Sequence, residues 1–247
     1  MLNYIHGELW RLFRRAGWGI LFLCCVCLAA AVNIGTAAVC RIWEVSPVPI
    51  SNALFVIDLL APMTGAFLVL LVYSMAFGDD YRHGAFKNAV SSGISRPVLY
   101  MGKFLSALFS CLLLLGAMLA AFLMTGPLLP GATAAEIMAA AGHLGWLTAA
   151  CIPIWIGEMA VIHTFYFLFR TDGPVIGAGF LFLILSGWLI PQLPFAGSSD
   201  LYLPVWFFII PQADLPAVAG KAWAVGMGYA AFFLAAGYLV FFRRELK

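Results

Sequence analysis

The chain has 247 residues, 64% of them hydrophobic and 10% charged, and a mean hydropathy of +1.01. Soluble domains carry about 25% charged residues, so a water-soluble globule is excluded and lipid is the solvent this composition requires. The formal net charge of +2 says little by its size; the placement of the charges says more, and no nucleic-acid partner is expected.

Residues 2–16 come first. Leu2, Ile5, Leu9, Leu12, Phe13 and Ala16 recur at helical spacing, with Glu8, Arg11, Arg14 and Arg15 between them. This pattern predicts an amphipathic helix lying in the membrane interface. The arginines precede a long apolar run with no small-residue cleavage site, so no cleavable signal is expected. Five of the six cysteines, Cys24, Cys25, Cys27, Cys111 and Cys151, lie in apolar runs, where Cys is a small hydrophobe. Cys40 sits nearer an edge, and no disulfide or zinc spacing is present.

Six apolar runs follow, at about 18–38, 52–77, 98–125, 144–169, 174–193 and 222–242. Each is long enough to span a bilayer as a helix, and none alternates as a barrel strand would. The expectation is an all-α integral membrane domain of six spans covering the whole chain. Between runs five and six, "LYLPVWFFII" is too short to cross twice and too apolar for a free loop. It reads as a re-entrant or interfacial segment. With both termini inside, eleven Lys and Arg fall on the cytoplasmic side and only Arg41 and Lys221 outside. That asymmetry sets the expected orientation.

The longest polar stretch, residues 78–97 between runs two and three, carries the most information. Asp79 and Asp80 would suit a helix N-terminus. Tyr81, Ala85, Phe86, Ala89 and Val90 fall on one helical face, Gly93 is a stop, and Ser95 with Pro97 opens the next helix. A loop built only for solvation needs no apolar face and no short glycine tethers; a loop that pushes on another protein needs both.

"DDYRHGAFKNAVSSGISRPVLYMGKF" resembles the signature between the second and third spans of ABC-2 type transporter permeases. Asp79 or Asp80 stands at the acidic position, Gly84-Ala85 where Gly-Thr is usual, and Lys87-Asn88, Gly93-Ile94-Ser95-Arg96 and Lys103 match the rest. The basic ending "FFRRELK" is similar to the family's. The resemblance implies a permease subunit in a bacterial plasma membrane, with a coupling helix docking on a separate ATP-binding cassette subunit that holds the ATP and Mg. A second permease copy or a related permease completes the assembly, and membrane lipids surround it. Asp79, Asp80, Tyr81, Gly84, Ala85, Phe86, Ala89, Val90, Gly93 and Arg96 are the expected coupling residues. Cargo in similar permeases ranges over antimicrobial peptides, antibiotics, lipids and polysaccharides; the resemblance leans toward peptide immunity or drug efflux. No enzyme activity is expected from this chain. Neither of its Gly-Lys pairs makes a phosphate-binding loop: Gly220-Lys221 is followed by Ala222 and Gly102-Lys103 by Phe104, and both lack the preceding glycine.

Glu158, deep in run four, is the first candidate for a translocation path or gate, because a carboxyl at that depth needs something to offset its burial. Asp58, shallower in run two, and His163 are further candidates. The alternative for each is a structural anchor. Gly173 and Gly177, and Gly226, Gly228 and Gly237, would let helices approach closely. Other classes fit less well. An intramembrane protease needs a serine–histidine pair or paired metal ligands, and the best serine, Ser186, lacks the G-x-S-x-G setting. A secondary transporter would show repeats with ionisable groups at the midplane. A non-transporting assembly or sensor subunit offers no positive signal.

Overall fold

A computed structural model describes the chain except residues 45–49, 83–84, 130, 170, 195–196, 211–212 and 244–247, and except the side chains of 62–64, 78–82 and 207. Among the described residues every regular element is a helix. In chain order these are α1 (Leu2–Phe13), α2 (Ala16–Ile42), α3 (Ile50–Arg82), α4 (Ala85–Ser91), α5 (Arg96–Thr125), α6 (Ala134–Phe169), α7 (Asp172–Leu189), α8 (Trp206–Ile209) and α9 (Leu215–Arg243). Short 3₁₀ turns separate α7 from α8.

Five helices, α2, α5, α6, α7 and α9, are long and apolar enough to cross a bilayer, which fits a multi-pass membrane protein. The sixth expected span is α3, and it is not straight. Its halves Ile50–Ala61 and Gly65–Phe77 meet at 53°. Pro62 lies at that bend in the sequence, and a proline withdraws one backbone donor from a helix. Gly65 makes room on the far side. A Cβ there would fall 2.0 Å from the Trp155 ring of α6.

The bundle is built around α6, which packs on α3, α5, α7 and most closely on α9; α2 covers α5 and α3, and α1 lies along α5. Glycine sets the α6–α9 distance. A Cβ on Gly226 would lie 2.0 Å from the Pro153 carbonyl, and one on Gly157 would lie 3.0 Å from the Gly226 carbonyl. Thr164 Oγ1 then reaches across to donate to the Phe233 carbonyl at 2.7 Å. Asn33 does the same between α2 and α5, donating to the Phe122 carbonyl at 2.7 Å and to Thr125 Oγ1 at 2.9 Å. In lipid such contacts supply what hydrophobic drive cannot, roughly 0.6 to 2 kcal/mol each.

Several boundaries differ from the sequence reading, each for a local reason. α6 begins at Ala134, not near 144, because Thr133 and Glu136 form a reciprocal capping box: the Thr133 amide donates to Glu136 Oε2 at 2.8 Å and the Glu136 amide to Thr133 Oγ1 at 3.3 Å. α9 begins at Leu215, not 222. The segment between α7 and α9 is a set of short turns folded onto the end of the bundle, with Leu203, Trp206 and Ile210 buried. Trp206 Nε1 donates to the Asp200 carbonyl at 2.9 Å, and Tyr229 Oη of α9 to the Leu201 carbonyl at 2.8 Å. α3 runs on to Arg82, so Asp79, Asp80 and Tyr81 sit in its last turn and do not open a new helix. Nothing in Phe77–Arg82 breaks a helix except Gly78, whose cost of about 1 kcal/mol in a helix is tolerated.

Candidate functional site

The residues singled out in the sequence separate into two places. The first is the end of the bundle that carries α4. This seven-residue helix stops in a Schellman turn: Gly93 takes φ 89°, its amide donates to the Val90 carbonyl at 3.0 Å, and the Ile94 amide donates to the Ala89 carbonyl at 3.1 Å. Only a residue without Cβ takes that φ without strain, so Gly93 is the stop that its position implied. Ser95 stands at the N-cap of α5, but its side chain makes no cap bond. Arg96 instead crosses to the end of α9, where Nη1 donates to the Phe242 carbonyl at 2.6 Å and the guanidinium lies over the Phe242 ring.

The apolar face of α4 is turned into its own bundle. Phe86 is 5% exposed and packs against Phe77 and Phe167, with Ala89 and Val90 beside it. The face left open carries Lys87, Asn88, Ser91 and Ser92. Ala85 is half-buried; Gly84 lies outside the described residues, as do the side chains of Asp79, Asp80 and Tyr81.

Beneath α4 sits a charge that the sequence offered only as a motif position. Lys103, 1% exposed, pairs through Nζ with Glu8 Oε2, donates to the Ala76 carbonyl at 3.2 Å, and lies over the Phe77 and Phe86 rings. Glu8 also takes Arg11 at 2.8 Å, and Arg15 donates to the Met75 carbonyl. Gly102 lets the Tyr4 ring of α1 settle on α5; a Cβ there would fall 2.5 Å from it. α1 is therefore strapped to α3 and α5 by charge pairing as well as by its apolar stripe, while Leu2 and Trp10 remain exposed. His163 lies in the adjacent core, fully buried and edge-on to Tyr73, Phe77, Tyr100 and Phe104, and neither ring nitrogen makes a hydrogen bond of normal geometry.

The second place is a cleft at mid-depth. α6 is its floor, α3 and α7 are its walls, and Leu203 closes it at the α8 end. Glu158 lies on the floor among otherwise apolar residues that include Ala66, Val69, Val161, Gly179 and Leu183. Its Oε2 is enclosed and no group donates to it, and no basic side chain among the described residues pairs with it. A carboxyl at the bilayer centre costs about 2.5–3.5 kcal/mol on insertion scales, and the fold supplies nothing to offset it. Asp58 is elsewhere. It pairs at 2.7 Å with His143 Nε2, tying the first half of α3 to α6. The sequence reading missed His143 because it placed residue 143 before the span. The signal was available: an acid in an apolar run needs a partner at the same depth, and Thr-x-x-Glu at 133–136 announces an earlier helix start.

No protein-family model, curated protein or solved structure matches the chain.

Proposed function

We propose that the chain is the membrane-spanning subunit of an ATP-binding cassette transporter of the ABC-2 kind. The bent α3 counts as the second of six spans, both termini face the cytoplasm of a bacterial cell, and a separate subunit binds and hydrolyses ATP. A second permease, identical or related, completes the transporter, which exports peptide-like, antibiotic or lipid-like cargo.

The observation that carries this reading is the seat of α4. A helix this short has no stability of its own in water, yet this one is held along its apolar face and at its C-terminal end. Phe86 rests on α3 and α6, the Schellman turn delivers the chain straight into α5, and Arg96 joins α5 to α9. Force applied at α4 is passed directly to four long helices, which is what a coupling element must do. The partner meets the polar face, and Phe86 is the strut that holds that face in place.

The test is co-purification with an ATP-binding subunit, sought first among the neighbouring genes, together with ATP-driven transport in vesicles. Reversing charge at Lys87→Glu with Asn88→Asp should weaken association about tenfold or more through lost complementarity at the contact. The same reversal at Lys221, at the opposite end, should change nothing. Normal association and transport for the α4 double variant would refute the coupling role. Glu158 taken alone favours a secondary transporter; cargo movement by the purified chain in a proton gradient, with no ATPase present, would establish that reading instead.

A further inference from the structure

The geometry points to the Glu158 cleft as a binding site for a cationic amphiphile, an alkylammonium whose small charged head enters the cleft while its apolar body lies in the lipid. Calling that ligand cargo rests on the permease reading; the site itself does not.

The argument begins with depth. Glu158 stands eleven residues before the Phe169 end of α6, roughly 16 Å along the helix at 1.5 Å per residue, close to the middle of a ~30 Å hydrocarbon core. Two common partners for a carboxyl at that depth are absent. No Lys, Arg or His among the described residues pairs with it, and no donor reaches Oε2. Water is a poor third choice. The cleft has a volume of about 100 Å³, and among the described residues Glu158 is the one polar side chain on its lining. Apolar cavities of about this size stay dry, since a buried water needs two to four polar partners. The empty cleft therefore holds the neutral acid, and a ligand that brings its own positive charge and tolerates apolar walls can take the place of its proton.

The shape sets the kind of cation. About 100 Å³ is of the order of the space that holds a benzene-sized group, which suits an ammonium or trimethylammonium head but no larger body. The rest of the molecule must lie outside, and the walls allow it. Ile176 and Phe180 of α7 line the cleft and also face outward, Phe180 at 62% exposure. A ligand can therefore enter sideways from the bilayer. The Phe180 and Phe182 rings border the same space, and aromatic faces attract quaternary ammonium groups once these are desolvated. A carboxylate and two aromatic rings around one small enclosure select cation over neutral head, and apolar walls select amphiphile over free ion.

The experiment uses the whole chain in nanodiscs of uncharged phosphatidylcholine, with tritiated dodecyltrimethylammonium held below its micelle threshold. Saturable binding near one per chain above empty nanodiscs is expected. Dodecanol should compete at least tenfold more weakly, because it matches the tail and lacks the charge. Glu158→Gln should lower affinity tenfold or more, and Ala66→Leu should lower it by filling the cleft without touching the charge. Asp58→Asn should leave it unchanged. Equal competition by dodecanol on the wild-type chain would overturn the proposal even if a variant failed to fold, as would undiminished binding in folded Glu158→Gln. The measurement needs no ATPase. Failed binding with intact α4 coupling removes this site and leaves the permease reading. Intact binding together with normal association and transport in the α4 double variant removes that reading and leaves the site.

Discussion

Lys103 and Glu158 are both ionisable groups held inside the bundle, and they are held in opposite ways. Lys103 is met by a carboxylate from α1, a carbonyl from α3 and two aromatic faces. Glu158 is met by hydrocarbon and a cleft. The difference separates structural from available charge. A buried charge whose partners come from several elements fastens those elements together, and removing it exposes all of them. A buried ionisable group with no partner adds nothing to the fold and is retained at a cost, which is the mark of a group kept for something that is not in the chain.

The contrast is sharpest in unfolding measurements. Lys103→Met should show the largest loss, about 3–4 kcal/mol, the lower part of the range for a broken buried pair, because Glu8 loses its buried partner and keeps only the more exposed Arg11. Glu8→Gln in the same chain should recover part of it, as a double-mutant cycle would show. Gly226→Val should come next, at about 3 kcal/mol, the upper part of the overpacking range. Its new Cβ meets the Pro153 backbone, which cannot move aside as a flexible side chain could. Glu158→Leu should be neutral or stabilising by about 1 kcal/mol, since an apolar residue replaces an uncompensated acid. A loss comparable to that of Lys103→Met would erase the distinction and make Glu158 a hidden anchor. The smallest effect belongs to Gly173→Ala on α7. Nothing lies within 4 Å of the added methyl group, so the change should alter stability only through helix propensity, a gain of up to about 1 kcal/mol. A clear loss there would reveal a close helix contact on that face that the single chain lacks.

α6 and α7 extend the same lesson to apolar residues. Both are long hydrophobic runs, yet 56% of an 18-residue apolar stretch of α6 is buried against 6% for α7. In water, hydropathy separates core from surface. In lipid it cannot, because a leucine facing a neighbour and a leucine facing an acyl chain are in nearly the same solvent. What marks α6 as the core is its pairing of small residues with polar side chains that bond across helices, Gly157 and Thr164 among them. The glycines of α7 look alike on paper, but Gly173 and Gly177 have nothing close to them.

The sequence by itself determined the solvent, the helical class, the approximate runs, the short helix between runs two and three and its stop at Gly93. These follow from composition, period and one glycine, which act over a few residues. It also marked Glu158 as a group needing an explanation. Tertiary structure alone decided the rest, because it depends on which faces meet. It set the angle between the halves of α3, packed Gly65 against Trp155, and brought His143 to Asp58. It turned Phe86 inward onto Phe77 and Phe167, leaving the polar side of α4 open, because a phenyl ring gains more from an aromatic core than from water. It gave Lys103 its partners from α1 and α3, which lie far away in the chain, and it gave Glu158 none.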